Sequence, residues 1–138
     1  EKIEPGDFDD VYNVNIKSPF FFTQAMLPMM IKGAHVVTIS SMGGIPGTKK
    51  FPGLSAYSSS KAALSVFSEL LAEELKERNI KVNCLALGAV QTEMFSKAFP
   101  GARAMQTPGQ MAQFIGDFCV NGHKYFNGKV LPVSVSVP

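Results

Sequence analysis

Two side chains that can exchange a proton, Tyr57 and Lys61, are four residues apart at the start of a segment with helical periodicity. Residues four apart lie on one face of a helix, so the phenol and the ammonium are predicted to project into the same space. A phenol ionises near pH ~10, and a neighbouring cation favours its ionised form. The pair therefore has the residue types of a general acid/base assisted by a lysine.

The same spacing occurs a second time, at Tyr125 and Lys129, so spacing alone is not specific. Asn127 and Gly128 lie between these two residues, and an Asn-Gly pair is a turn signal that breaks the helical register. We therefore expect no shared chemistry at the second pair, which serves as an internal control for the first.

A serine pair, Ser40 and Ser41, ends the apolar, β-branched run 35–40, which is typical of a buried parallel strand. Ligands of open α/β sheets bind beyond the carboxyl ends of the strands, where Ser41 is predicted to lie. A simple strand-ending turn explains the two serines equally well if they stand alone. The glycines that follow do not form a phosphate loop, because neither GxGxxG nor GxxxxGK(S/T) is present.

Residues 4–31 have the apolar spacing of a helix that begins near Pro5. Pro19 interrupts this helix, because proline has no N–H and its ring clashes with the carbonyl four residues earlier, which belongs to Asn15. The Asn15 carbonyl is therefore predicted to lack its helical bond and to accept one from a water. The alternative is an ordinary proline kink with an incidental asparagine.

The remaining segments alternate between helix and strand signals, which predicts an α/β fold with a parallel sheet. Pro132 favours an edge position for the last strand. The segments are a helix over 55–78, a strand over 80–87, a short helix opening at 92–95, a helix over 107–118 that begins with a capping box, and a strand that begins at Lys129.

Composition limits the class of protein. The 138 residues are 46% hydrophobic and 17% charged with a net charge of +2, which fits one globular domain and does not favour nucleic acid. No apolar run is long enough to span a bilayer, so no membrane association is predicted. Cys84 and Cys119 are predicted to be buried, reduced thiols of a cytoplasmic protein. His35 and His123 lack metal-ligand spacing, so no metal site is predicted.

Taken together, the motifs resemble the short-chain dehydrogenase/reductase family. The residues that carry the resemblance are Val14-Asn15 with Gln24-Ala25, Ile39-Ser40-Ser41, Tyr57-x-x-x-Lys61 with Ala62-Ala63, Val82-Asn83, and Gly88 through Glu93. The resemblance covers the whole chain and implies a truncated, Rossmann-like doubly wound parallel sheet made of three strands with flanking helices. It implies that residues 1–138 are the C-terminal catalytic half of a single domain, without the half that binds the dinucleotide phosphates.

The resemblance also implies roles for particular residues. Tyr57 would be the general acid/base, and Lys61 would assist it and bind the nicotinamide ribose. Ser41 would hydrogen-bond the substrate oxygen, and Asn15 would hold a water that links Lys61 to solvent. The residues expected to line the cofactor are Gly88, Val90 and Thr92, together with Tyr57 and Lys61. The cofactor would be NAD or NADP, with NADP slightly favoured.

Three features depart from the family's usual pattern. Leu87-Gly88 stands where the family usually has Pro-Gly, and the interval from serine to tyrosine is a few residues longer, with Thr48-Lys49-Lys50 as the insertion. The glycine-rich first turn and the residue that selects NAD or NADP have no counterpart in these 138 residues. These features predict a looser cofactor loop, an altered substrate mouth and weak hold on the cofactor by this chain alone.

The predicted function is therefore that of a fragment of an NAD(P)-dependent oxidoreductase that interconverts a carbonyl and a secondary alcohol. A small-molecule substrate would lie under a lid near residues 93–106. A homodimer or homotetramer would form through the helices over 4–31 and 55–78. A lyase or epimerase on the same scaffold is a related alternative. The alternative of a different class is a non-catalytic assembly module that retains the dimerisation helices.

Overall fold

A computed structural model of the chain describes residues 2–135. Three parallel strands form one sheet in the order β1-β2-β3. The elements are α1 (Pro5–Tyr12), a π-helical turn (Asn13–Lys17), α2 (Ser18–Met26), a 3-10 turn (Leu27–Met29), β1 (His35–Ser41), a 3-10 turn (Met42–Gly44), α3 (Ser55–Glu74), β2 (Lys81–Leu87), α4 (Glu93–Ala98), α5 (Pro108–Asn121), a 3-10 turn (Gly122–Lys124) and β3 (Lys129–Val133).

The sheet has a helix on each face. Successive side chains of a strand point to opposite faces, so Thr38 and His35 of β1 lie on different sides. Thr38 contacts Ser68 of α3, and His35 contacts the backbone of Cys119 in α5. Helices α3 and α5 therefore cover opposite faces, which confirms the predicted Rossmann-like arrangement of three parallel strands with flanking helices.

The core lies between α3 and the sheet. Its buried cluster joins Leu71, Ala72 and Leu75, at the end of α3, to Ile80 and Val82, at the start of the strand that follows. In the part of the chain that the structure describes, no helix is both long and apolar enough to cross a membrane.

The predicted helix over 4–31 is wrong as a single regular element. The Ser18 N–H donates to the carbonyl of Asn13, five residues earlier, in a π-helical turn between α1 and α2. Pro19 offers no N–H at the next position, so a widened turn at this point has a physical cause. The proline therefore acts as predicted in interrupting the helix, but the interruption is a π-turn.

The predicted helix over 55–78 is too long by four residues. Helix α3 ends at Glu74, and Asn79 has the left-handed backbone (φ 53°) that redirects the chain into β2. The Arg78 guanidinium donates to the carbonyls of Leu27 and Met30, so this turn is tied to the end of the first helical segment.

The prediction for the cysteines is half wrong. Cys84 is buried in β2, but Cys119 is exposed on α5, and both are free thiols. The Phe118 ring lies under α5 and is buried. The next residue of a helix is rotated by about 100°, which turns Cys119 outward. The capping box that begins α5, made by Thr107 and Gln110, is present as predicted.

The close approach of α3 to the turn after β1 generates the first prediction. A Cβ on Gly44 would lie 2.7 Å from the Ala62 nitrogen and 2.8 Å from the Lys61 carbonyl carbon. Both atoms are backbone, so Gly44→Ala must displace α3 and should cost about 1–3 kcal/mol of the free energy of unfolding. Urea denaturation of the natural protein that carries this sequence measures the loss.

The matched control is Gly116→Ala, since no atom lies within 4 Å of a Cβ at that position in α5. Alanine is the better helix former, so this variant should gain about 0.5–1 kcal/mol. Equal stabilities of the Gly44→Ala variant and the wild type would contradict the tight docking of α3.

Candidate active site

Buried hydroxyl groups dock α3 onto β1. Thr38 Oγ1 lies 2.6 Å from Ser68 Oγ, and Ser65 Oγ donates to Ser40 Oγ at 3.0 Å. Ser40 Oγ in turn donates to the Lys61 carbonyl at 2.8 Å. We call these hydroxyls, from Thr38, Ser40, Ser65 and Ser68, the hydroxyl seam. Because hydrogen bonds are directional, the seam sets both the depth and the register of α3 against the sheet.

The two candidate serines have different surroundings. Ser40 is 3% exposed and committed to the seam, whereas Ser41 is half-buried and ends β1 at the carboxyl edge of the sheet. Ser41 Oγ accepts a bond from the Gly43 N–H at 3.2 Å. A Cβ on Gly43 would lie 3.1 Å from Ser58 Oγ, so this turn packs directly on the first turns of α3. Of the two serines, Ser41 is therefore the one whose hydroxyl lies at the carboxyl edge of the sheet.

Tyr57 and Lys61 occupy successive turns at the start of α3, and both are half-buried. Lys61 Nζ donates to the Ile39 carbonyl at 3.0 Å and lies 5.9 Å from the centre of the Tyr57 ring. The bond to Ile39 turns the ammonium toward the strand that ends in Ser41. The structure therefore brings Ser41, Tyr57 and Lys61 to one edge of the sheet.

Burial lowers the pKa of the Lys61 ammonium below its ordinary value, and a smaller electrostatic interaction with Cys84 acts in the opposite direction. Desolvation disfavours the charged form of a lysine, which is the physical cause of the larger effect. Lysines with a pKa lowered by burial are common at functional sites, which makes Lys61 and the neighbouring Tyr57 candidates for acid/base chemistry.

Asn15 reaches the same helix from the other side. Its Nδ2 donates to Ser60 Oγ at 3.0 Å, and Ser60 Oγ donates to the Tyr57 carbonyl at 2.8 Å. Ser60 is fully buried, and Tyr12 makes a neighbouring bond to Ser59 at 2.9 Å. The small side chains of α3 thus allow the π-helical turn to pack on the turn that carries Tyr57.

The loop after β2 carries the other candidate residues. The Gly88 N–H donates to the Val133 carbonyl at 2.8 Å, and a Cβ on Gly88 would lie 2.5 Å from Ser134 Oγ. Val90 forms a parallel bridge with Gln106. Thr92 Oγ1 accepts from the Phe95 N–H at 3.1 Å and caps α4. The loop therefore lies at the carboxyl edge with its backbone anchored at several points.

Three contacts of this edge were not predicted. The Gln91 side chain accepts from the Ala104 N–H at 2.8 Å and donates to Ser96 Oγ at 3.0 Å, which ties the segment 91–106 to itself. The Phe51 ring lies 5.0 Å from the Phe99 ring, so the loop before α3 contacts the end of α4. No sequence motif marks these contacts.

The internal control behaves as the turn signal predicted. Tyr125 is 78% exposed and lies outside any regular element, while Lys129 begins β3. The two side chains share no helix, in contrast to Tyr57 and Lys61.

Comparison with known proteins identifies the family. The short chain dehydrogenase model matches residues 1–103, and the chain belongs to this family of NAD(P)-binding oxidoreductases. The chain is 33% identical to the 3-oxoacyl-(acyl-carrier-protein) reductase FabG of Thermotoga maritima over 144 residues, covering 96% of this chain and 57% of that protein. It is 32% identical to human dehydrogenase/reductase SDR family member 4, covering 95% of this chain and 51% of that protein.

Solved structures give the same result. A short chain dehydrogenase from Salmonella enterica serovar Typhi superposes with a TM-score of 0.82 at 28% identity, covering 94% of this chain and 54% of that one. A short chain dehydrogenase from Escherichia coli CFT073, complexed with NADPH, superposes with a TM-score of 0.81 at 28% identity, covering 95% and 55%. The chain spans about half the length of the relatives it matches.

The burial of Lys61 generates a prediction about alkaline pH. The unfolded chain holds this proton more tightly than the folded chain, so stability rises with pH from the lowered pKa up to the ordinary value of ~10.4. Lys61→Met removes this dependence. Urea denaturation between pH 7 and 10.5 should show the wild type gaining stability relative to the variant, at less than the one-proton limit of about 1.4 kcal/mol per pH unit.

Lys76→Met is the control, because Lys76 is exposed and pairs with Glu73 on the surface. Its stability should run parallel to that of the wild type over the same range. If the free energy of unfolding of Lys61→Met also runs parallel to that of the wild type between pH 7 and 10.5, the desolvation of Lys61 is contradicted.

Proposed function

We propose that the chain is the C-terminal catalytic half of a cytoplasmic NAD(P)-dependent oxidoreductase that interconverts a carbonyl compound and a secondary alcohol. The observation that carries the proposal is the bond from Lys61 Nζ to the Ile39 carbonyl, since it joins the helix that bears Tyr57 to the strand that ends in Ser41. Both cysteines are free thiols, which is usual in reducing compartments and supports the cytoplasmic location.

In this proposal Tyr57 exchanges a proton with the substrate oxygen. In the direction of reduction the phenol gives its proton to the carbonyl oxygen, and in oxidation the phenolate takes the proton of the alcohol. The Lys61 ammonium stabilises the phenolate through space. Ser41 donates a hydrogen bond to the same substrate oxygen, where negative charge develops. Half-burial of these side chains strengthens such interactions relative to water.

The remaining polar residues supply and position the proton. Pro19 withholds an N–H from the Asn15 carbonyl, so this oxygen is left to accept from a water that passes protons between Lys61 and solvent. The bond from Asn15 to Ser60 supports this role, because it holds the π-helical turn against the turn of Tyr57.

The residues fit the nicotinamide end of the cofactor. An ammonium has three N–H donors, and one of those on Lys61 goes to the Ile39 carbonyl, so two are left for the hydroxyls of a ribose. Gly88, Val90 and Thr92 form the adjoining wall. The bound cofactor would supply or accept the hydride. NADP is slightly favoured over NAD, with support from the relative complexed with NADPH.

The substrate side is apolar. Phe51, Phe95 and Phe99 form a continuous row of rings between the inserted loop and α4. Met94 and Met105 of the adjoining segment are exposed and adaptable. We propose that this segment, closed at its base by Gln91 and Gln106, is the lid and that it favours carbonyl compounds with alkyl or aryl substituents.

Self-association is proposed through the two long helical segments. Exposed apolar side chains on these segments support it: Phe20, Phe21 and Phe22 on α2, and Val66 and Leu70 on α3. A homodimer or homotetramer formed in this way leaves the carboxyl edge of the sheet open. A non-catalytic assembly module would use the same surface, so the activity tests that follow decide between the two.

Tyr57→Phe removes the proposed proton donor and changes little else. In the natural protein that carries this sequence, kcat should fall by about 10²–10⁴, because the contribution of a positioned acid/base is lost. The dissociation constant of the nicotinamide cofactor should stay within a few-fold of the wild type. Steady-state kinetics and fluorescence titration of the cofactor measure the two quantities.

Tyr125→Phe is the matched control and should leave both quantities unchanged, since Tyr125 is exposed. A kcat of the Tyr57→Phe variant equal to that of the wild type would refute the role of Tyr57 as the general acid/base. Absence of turnover in the wild type with every carbonyl substrate tested would favour the assembly module.

Ser41→Ala and Ser40→Ala separate catalysis from docking. Ser41→Ala should lower kcat by about 10²–10³ with little loss of stability, because a donor to the developing charge is removed. Ser40→Ala should lose about 1–3 kcal/mol of the free energy of unfolding, because buried partners in the hydroxyl seam become unpaired. Kinetics and urea denaturation of both variants test this assignment, and the reverse pattern would show that Ser40 is the catalytic serine.

A further inference from the structure

His35 lies at the amino end of β1, at the opposite end of the strand from Ser41. Its Nδ1 lies 3.0 Å from the Cys119 carbonyl oxygen of α5, and its Nε2 lies 3.0 Å from Asn83 Nδ2 of β2. One imidazole therefore links the first strand, the second strand and the helix that covers this face. The proposed chemistry does not use this residue.

The partners of Asn83 determine which atom faces His35. Asn83 is fully buried, its Nδ2 also donates to the Phe126 carbonyl at 3.0 Å, and its Oδ1 accepts from the Lys129 N–H at 3.2 Å. A carbonyl can only accept and a backbone N–H can only donate, so the amide has one orientation. Its NH₂ group is the one that faces the ring.

The tautomer of His35 follows from these contacts. Nε2 must be an acceptor, because it faces the Asn83 NH₂ group. Nδ1 must carry the hydrogen, because it faces the Cys119 carbonyl. The neutral Nδ1–H imidazole satisfies both partners, and no other protonation state does.

A proton on Nε2 would set two donors against each other. Rotation of the Asn83 amide would give Nε2–H an acceptor, but it would break the bonds to Phe126 and Lys129. Without rotation the bond between His35 and Asn83 is lost, and with rotation the two bonds from Asn83 to the segment 126–129 are lost. The bond from Nδ1–H to the Cys119 carbonyl persists in both cases. A buried donor left without an acceptor lowers the stability of the fold by more than a satisfied hydrogen bond adds to it.

The surroundings offer the protonated ring no compensating anion. The titratable groups on the elements around it are Lys81 and Cys84 of β2, Lys129 of β3, Asp117 and Cys119 of α5, and His123 and Lys124 of the turn after α5. Among residues 2–135 the ion pairs are Lys76–Glu73 and Lys97–Glu93, so no carboxylate pairs with His35. The His123 ring lies 5.6 Å away, and its buried Nδ1 has no partner among the described residues.

Burial lowers the pKa of His35; the bond to the Cys119 carbonyl opposes this effect, and the charge of His123 adds to it. The direction agrees with the hydrogen-bond pattern, which admits only the neutral ring. His35 is also half-exposed, so a proton from solvent can reach the ring without unfolding of the chain.

We propose that His35 is an acid-sensitive latch that holds the Asn83 amide in one orientation and thereby fastens the segment 126–129, at the start of β3, to strand β2. Protonation of the ring breaks its bond to Asn83, and rotation of the amide then releases this segment, whereas the bond from Nδ1–H to the Cys119 carbonyl of α5 remains. Strand β3 lines a cavity of about 390 Å³ with Pro132 and Val133, near the carboxyl ends of the strands. Release of the start of β3 therefore acts on a cavity next to the proposed active site.

Amide hydrogen exchange in the natural protein tests the latch. The open state binds the proton more tightly than the latched state, so the latch holds above pH ~6.5 and loses stability as the pH falls below this value. After correction for intrinsic exchange rates, the opening constant of peptides that cover residues 126–133 should rise by up to about tenfold per pH unit between pH 6.5 and 5.5. Peptides within α3 and α5 should show no such rise.

The two histidines of the chain provide a matched pair of variants. His35→Gln should abolish the acid-dependent rise, and His123→Gln should retain it. Persistence of the rise in His35→Gln, or its loss in His123→Gln alone, would overturn the proposal.

NMR titration of the imidazole resonances decides the question if the His35→Gln variant fails to fold. The wild-type His35 ring should be in the Nδ1–H tautomer at pH 7.5, and its pKa should lie below that of a free histidine. An Nε2–H tautomer, or a pKa at or above the ordinary value of ~6.5, would overturn the proposal.

Discussion

The docking of α3 on β1 through buried hydroxyl groups is the constraint on which the rest of the site depends. Apolar packing alone lets a helix slide or rotate over a sheet, since its energy depends on area and hardly on direction. The hydroxyl seam removes this freedom, because Ser40 and Ser65 must face one another within hydrogen-bond distance. With α3 so placed, Lys61 reaches the Ile39 carbonyl, and the ends of β1 and α3 form one edge.

The parts of the fold that could be predicted are those with local causes. Short, largely apolar runs marked all three strands, and the Thr107–Gln110 capping box marked the start of α5. The π-helical turn could not be predicted, because Pro19 removes one bond but does not dictate which longer bond replaces it. The turn after α3 is held by tertiary contacts of Arg78 with the carbonyls of Leu27 and Met30, which no local pattern reveals.

Sequence reasoning could name the residues of the candidate site but not their contacts. Helical spacing predicted that Tyr57 and Lys61 lie on one face of a helix, and the Asn-Gly turn signal excluded a shared helix for Tyr125 and Lys129. Spacing could not tell whether Ser40 or Ser41 is the candidate catalytic serine. The two residues are adjacent in β1, and their side chains point to opposite faces of the strand. The structure separates them by burial: one hydroxyl is enclosed in the seam and the other lies at the open edge.

The central claim is that this edge of the sheet directs hydride transfer to a carbonyl carbon. The most direct measurement uses the natural protein with NADPH or NADH deuterated at C4 of the nicotinamide and a panel of alkyl and aryl ketones. Mass spectrometry of the products should find one deuterium on the carbinol carbon. Saturating binding of the cofactor without transfer to any ketone of the panel would contradict the account and favour a non-catalytic module.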